Sequence, residues 1–343
     1  MSQPTPQPAT AIRSDDIVDL AIIGGGPVGL YAAFYAGLRQ MSVKIIDSLE
    51  VLGGQLMALY PEKFIYDVAG FPKVTAKDLV NNLIEQGLQF GAIPVLGETV
   101  QTLDTGDDHV FTMKTNKGAT HKARLILIAG GVGSFTPRPV PIPNANDFLG
   151  KGLHYFVKDM SIFTGKRVLI LGGGDSAIDW ANMLAPYTSA QTLIHRRDKF
   201  RAHEDSVEKM MQTKTHVMLF HEIKSIDAGP DGRVARATVY DNRTKAETTI
   251  EVDEIVSNFG FVSALGPIKE WGLTIEKNQI AVDQLMQTSR PRVFSAGDIC
   301  AYNGKLKLIA TGFGEAAIAV NFGKTLIDPS AKLFPGHSSE REG

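Results

Sequence analysis

The chain has 343 residues, 43% of them hydrophobic and 21% charged, with a formal net charge of −2. That length suits about two domains, the composition suits a glycine-rich α/β protein, and the charge excludes a globally basic nucleic-acid binder. No apolar run approaches the roughly 20 residues needed to span a bilayer, and the lone cysteine, Cys300, excludes an internal disulfide and any Cys-x-x-Cys pair, in keeping with a reducing cytoplasm.

Residues 1–16 are rich in proline and polar side chains and lack the apolar core of a signal peptide, so a disordered tail is expected. The apolar run Ile17–Ile23 predicts a strand. It leads into Gly24-Gly25-Gly26-Pro27-Val28-Gly29 and a helix over 27–39, whose Ala32, Ala33 and Ala36 allow close approach to a sheet. A second strand over 43–46 ends at Asp47, 23 residues beyond Gly24. An acid at that place accepts a ribose hydroxyl. Within the loop Gly24 permits the tight turn, Gly26 lets backbone approach a pyrophosphate, and Gly29 lets helix meet strand. Free N–H groups at the helix start face the phosphate charge. An ordinary glycine-rich turn would not come with a strand before it, a helix after it and a spaced acid.

A further helix is predicted over 75–90, and strands over 110–115 and 120–128 joined by the turn Asn116-Lys117-Gly118. Pro137, Pro139, Pro141 and Pro143 then stand at alternate positions, a semi-rigid connector and the expected crossing between domains.

Beyond about Gly150 the first design recurs. A strand over 168–171 meets Gly172-Gly173-Gly174-Asp175-Ser176-Ala177, a helix follows over Asp175–Leu184, and a strand over 191–194 ends in His195-Arg196-Arg197. Ala177 replaces the third glycine, as the motif permits. Asp175 and Ser176 stand at the helix start, beside the phosphate site or as simple caps. His195 occupies the place of Asp47, again 23 residues past the first glycine. A basic cluster there accepts a 2′-phosphate, and guanidinium groups suit phosphate by bidentate bonding. Arg201 is expected at the same phosphate. Strands over 234–240 and 248–252 form a hairpin around Asp241-Asn242, 255–261 closes the segment, and the chain crosses back near 262–267. The last segment holds Val293-Phe294-Ser295-Ala296-Gly297-Asp298 and a helix over 314–326. Asp298 after a strand suits the hydroxyls of a ribityl chain, though alone it is a turn acid. Two loops of one design, differing in the residue that meets the ribose, imply one FAD site, one NADPH site and a flavoprotein that moves electrons.

The glycine loop 24–29, Asp47, Gly53-Gly54-Gln55, the loop 172–177, His195-Arg196-Arg197 and Ala296-Gly297-Asp298 together resemble the thioredoxin reductase class, in order and spacing from 17 to 323. One departure decides the function. That class carries a redox Cys-x-x-Cys shortly before its second glycine loop, where this chain reads His154-Tyr155-Phe156-Val157-Lys158-Asp159. A disulfide reductase needs thiolates to take the flavin's electrons. The chain is therefore identified as a member of the ferredoxin–NADP reductases of thioredoxin-reductase type. Leu59-Tyr60-Pro61-Glu62-Lys63, the segment 66–72, the segment 309–316 and the tail with His337-Ser338-Ser339 are similar to that family as well.

The resemblance implies an α/β, three-layer fold of two Rossmann-like dinucleotide-binding domains. An NADPH domain (138–262) is inserted in a FAD domain (17–137 and 263–327), and 328–343 extends over the flavin. It implies FAD contacts from Gly24, Gly26, Pro27, Gly29, Asp47, Gly54, Gln55, Gly297 and Asp298. Tyr60 would stack on the isoalloxazine, Val100 contact adenine, Phe135 line the site, and His337 with Ser338 and Ser339 cover the other flavin face. NADP would meet Gly172, Gly174, Asp175, Ser176, His195, Arg196, Arg197 and Arg201. The implied activity passes electrons between NADPH and ferredoxin or flavodoxin through FAD, in a cytoplasmic homodimer with no metal, nucleic acid or membrane. No side chain need act as acid or base. Three other readings stay open: a disulfide reductase using a partner's thiols, an NADPH diaphorase or oxidase of quinones or ferric chelates, and a nucleotide sensor without turnover.

Overall fold

A computed structural model describes residues 17–106 and 108–336, and at 134–136 and 263 the backbone alone. The described residues fall into two compact units, one within Met1–Ser134 and Ser263–Gly343, the other Phe135–Val262.

In the first unit Ile17–Ile23 pairs in parallel with Val43–Asp47 on one side and Thr120–Ile128 on the other. Val43–Asp47 is flanked in turn by Ile93–Leu96. The free edge of Thr120–Ile128 is shared. Its first half pairs antiparallel with Phe111–Thr115, which forms a hairpin with Val100–Thr105, and its second half takes Val293–Ser295 in parallel. The inner strands are apolar over 20–23 and 125–128, where both faces are covered. Leu20, Ile22, Leu125 and Leu127 join the core on the helical side, with Ala32, Ala33 and Ala36 of Pro27–Leu38, Leu79 and Leu83 of Ala76–Leu88, and Ala316, Ala319 and Val320 of Ile309–Ile327. Ala21, Ile126 and Ile128 face the opposite way, into a core with Phe111, Met113, Trp271 and Ile280. Small residues set the layer spacing: a Cβ on Gly87 would lie 2.7 Å from the Leu30 carbonyl oxygen of the neighbouring helix.

The second unit repeats the plan with fewer strands. Its parallel sheet runs Leu153–His154, Glu254–Ser257, Arg167–Leu171, Ala190–His195, His216–Leu219. Helices Asp175–Leu184 and Glu204–Met211 pack together. Leu169, Leu171, Ile194 and Ile255 share a core with Ile223, Ile226, Ala237 and Val239 of the antiparallel sheet His221–Ala228, Val234–Asp241, Glu247–Glu251.

Three features depart from expectation. The strand His221–Ala228 carries no clean period-two signal, because its pairing slips between Ile223 and Ser225 and again between Asp227 and Ala228. The final helix begins at Ile309 rather than 314, since Gly312, a helix breaker by propensity, is needed where a Cβ would meet Val28 Cγ2 at 2.4 Å. The proline-rich stretch is more than a connector: Val140 and Ile142, between the prolines, are buried in the second unit's core.

Candidate functional site

Each unit carries a glycine cradle at the carboxyl ends of its parallel strands, where open α/β sheets bind ligands. In the first unit the three motif glycines do different work. Gly24 has φ +113, and a Cβ there would lie 2.4 Å from Ala129 O; at Gly29 a Cβ would lie 1.9 Å from Gly24 O. Those two positions are closed by backbone. At Gly26 the nearest atom to a Cβ is Gly54 Cα at 3.9 Å, so the middle glycine faces open space. Gly26 is the N-cap of Pro27–Leu38 and offers no side chain to the helix's first N–H groups, with Pro27 inside the first turn.

Asp47 ends its strand at 7% exposure. Its Oδ2 accepts the Gly25 N–H at 2.5 Å and its Oδ1 the Leu49 N–H at 2.8 Å. Burial raises its pKa, and these two bonds oppose the rise. Glu98 N donates to Asp47 O at 2.9 Å, and Val100, two residues on, is buried in the core that Ile46 joins. The loop before Gly54–Leu59 folds onto the first cradle, a Cβ on Gly54 lying 3.0 Å from Gly26 Cα. Gln55 Nε2 lies 2.8 Å from the Cβ position of Gly131, and so spans the end of Thr120–Ile128. Burial raises the Tyr60 hydroxyl pKa, and the Asp298 charge raises it further. Asp298 is raised by burial against the pull of Lys305 and Lys307. A Cβ on Gly297, at φ +82, would lie 3.3 Å from Val28 Cγ2 of the first helix.

One part of this cradle was not foreseen. Glu315 is buried, and its Oε2 accepts the Gly297 N–H at 2.7 Å. Its Oε1 accepts Tyr302 Oη at 2.6 Å and the Lys305 ammonium. The signal was present: Gly312, Glu315, Ala316 and Ala319 form one buried helical stripe, and a carboxylate within such a stripe needs partners. The side chain of Phe135, and His337, Ser338 and Ser339, lie outside the described residues.

In the second unit a Cβ on Gly172, at φ +139, would lie 2.8 Å from Asn258 O. Gly174 is open, with Arg201 O nearest at 3.8 Å, and caps Asp175–Leu184 without a side-chain bond. Asp175 caps nothing in its own helix. Its Oδ1 accepts the His203 N–H at 3.2 Å, while Arg201 N donates to Gly173 O at 2.7 Å. These bonds tie the basic loop to the glycine loop. Ser176 stands exposed in the first helical turn.

His195 is not a surface cation. A Cβ on Gly173 would lie 2.2 Å from its Nδ1, its Nε2 meets Lys199 O at 3.0 Å, and Phe200 stacks on it at 5.4 Å. Burial first, with Arg197, Arg196 and Arg201, lowers its pKa against the opposing bond to Lys199 O, which disfavours the protonated ring. Arg196, Arg197 and Arg201 are exposed. Asn242, in the Asp241–Glu247 hairpin turn, donates to Arg196 O at 2.9 Å and to Glu222 Oε1 at 3.0 Å. The only cysteine, Cys300, is buried, and burial with the Glu315 charge pushes its thiol to about 12.

The family model described as pyridine nucleotide-disulphide oxidoreductase matches residues 18–321. The chain is 53% identical over 327 residues to the ferredoxin–NADP reductase of Halalkalibacterium halodurans, covering 95% of this chain and 98% of that one. It is 50% identical over 330 residues to the ferredoxin–NADP reductase of Geobacillus thermodenitrificans, with 96% and 99% covered. Among solved structures it resembles the T. acidophilum thioredoxin reductase, with a TM-score of 0.77 at 25% identity over 91% of this chain and 99% of that one. The Lactococcus lactis thioredoxin reductase in its FR conformation has the same fold, with a TM-score of 0.76 at 24% identity over 90% and 99%.

Proposed function

This chain belongs to the pyridine nucleotide-disulphide oxidoreductase family, and from that premise we propose how its two cradles divide the work. Its activity is that of a ferredoxin–NADP reductase, with FAD and NADP as cofactors and ferredoxin as electron partner. FAD, when bound, supplies the redox chemistry, exchanging two electrons with the nicotinamide and single electrons with an iron–sulfur acceptor.

The first cradle fits FAD. Gly26 leaves an opening at an uncapped helix N-terminus, which suits a pyrophosphate. Asp47 is held by two backbone N–H groups, so its remaining lone pairs are aimed and fixed for the adenosine ribose. Gln55, Tyr60, Gly297 and Asp298 serve the flavin end, and Val100 the adenine. The second cradle fits NADP in the same manner at Gly172, Gly174 and Ser176. Here Arg196, Arg197 and Arg201 hold the 2′-phosphate. His195 and Asp175 set the loop that carries those arginines rather than adding charge. We assign residues 17–137 with 263–327 to FAD, with Phe135 lining that site, 138–262 to NADP, and 328–343, through His337, Ser338 and Ser339, to covering the other flavin face. Flavodoxin as an alternative acceptor, a homodimer and a cytoplasmic location complete the reading. No helix among the described residues is long and apolar enough to cross a membrane.

The observation that carries the division is the contrast at the strand ends: a buried, backbone-bonded carboxylate in one cradle and an exposed arginine cluster in the other. The test replaces one open glycine at a time. Gly26→Val is expected to give folded protein without flavin, and Gly174→Val to keep flavin that NADPH no longer bleaches. The reverse pattern would invert the assignment.

A further inference from the structure

Glu315 lies in an otherwise apolar stretch of Ile309–Ile327, and its position there has no packing explanation. A buried carboxylate is costly unless it is paired and hydrogen-bonded. This one is saturated: Gly297 N at 2.7 Å and Cys300 Sγ at 3.6 Å on Oε2, Tyr302 Oη at 2.6 Å and Lys305 Nζ on Oε1. Every donor comes from the short segment 297–305. Gln279 holds the same segment from the other side, its Nε2 donating to the carbonyls of Asp298 and Cys300 at 2.9 Å each. The Gly297 N–H is buried and donates to Glu315 Oε2, and a buried N–H left without an acceptor is costly.

We propose that Glu315 is a positioning residue for the cofactor: its Oε2, through the Gly297 N–H, fixes the backbone from which Asp298 reaches the flavin's ribityl chain. Lys305 serves this role by neutralising the carboxylate within the protein. The inference rests on the assignment of the first cradle to FAD.

Two near-isosteric variants isolate the claim. In a Lys305→Met background, which removes the buried ion pair from both, Glu315→Gln keeps an acceptor facing Gly297 N–H and Glu315→Met removes it. Apoproteins are titrated with FAD by fluorescence quenching, and far-UV circular dichroism and NADP binding by the second unit report the fold. The Met variant is expected to bind FAD about fivefold or more weakly than the Gln variant, the cost of one orphaned buried N–H, with NADP affinity equal in both. Equal FAD affinities would overturn the proposal. So would a Met variant that fails to fold while the Gln variant folds, since Glu315 would then hold the unit and not the cofactor turn. Wild-type apoprotein that takes up no FAD would instead refute the assignment of the cradle.

Discussion

Gly24, Gly26 and Gly29 belong to one motif but answer to different forces. Gly24 and Gly29 are closed in by backbone oxygen, whereas Gly26 faces open space at an ordinary negative φ of −74. Valine at Gly24 or Gly29 is therefore expected to destabilise the unit, while valine at Gly26 leaves the melting temperature of apoprotein nearly unchanged and abolishes flavin retention. Differential scanning fluorimetry beside flavin content separates the two outcomes. At the other cradle the proposed role of the arginines is charge-assisted hydrogen bonding to a 2′-phosphate. Neutralising Arg196 and Arg197 removes charge-assisted bonds worth about 1.5–3 kcal/mol each, so KM for NADPH is expected to rise at least about tenfold with NADH kinetics unchanged. Equal losses for both nucleotides would remove the 2′-phosphate from that site.

Elements matter here as supports for loops that hold little structure of their own. The turn after Val234–Asp241 reaches Arg196 through Asn242, far along the chain but one hydrogen bond away at 2.9 Å. Asn242→Ala loses that bond, a net effect of about 1 kcal/mol, and is expected to raise KM for NADPH about threefold to fivefold while kcat and NADH turnover hold. A change in kcat alone would contradict a role at the binding loop. The helix Ile309–Ile327 supports the other cradle in the same sense, through Gly312 against Val28 and Glu315 against Gly297.

At the scale of the molecule, electrons must leave without a thiol. Cys300 has no second cysteine, is buried, and its thiol stands near 12, so thiolate is scarce at neutral pH. Cys300→Ser is expected to keep ferredoxin-dependent cytochrome c reduction within about twofold of wild type. A loss of turnover with flavin still bound would force a thiol back into the electron path. Because the hydroxyl of Ser is smaller than the thiol and sits against Gly297 O, a modest loss of FAD affinity is also expected through packing.

The strand–glycine–helix order, the acid or base 23 residues on, and the missing Cys-x-x-Cys were legible in the residues alone. Each is a local matter: turn sterics, helix N–H groups and the reach of one strand. Those features were sufficient to name two dinucleotide cradles, and the resemblance to the thioredoxin reductase class is what makes the missing Cys-x-x-Cys separate this chain from disulfide reductases. The rest depended on contacts between distant segments. His195 reads as a cation in sequence, but burial under Gly173 lowers its pKa and disfavours that charge. Asp175 reads as a residue of the phosphate site or a simple cap, and in the fold its carboxylate accepts the His203 N–H. Glu315 reads as one acid in an apolar helix until Gly297, Tyr302 and Lys305 converge on it. The chain's own letters state which group a side chain carries, and only the packing of remote segments decides whether water, a backbone N–H or another charge surrounds it, which sets what that group can do.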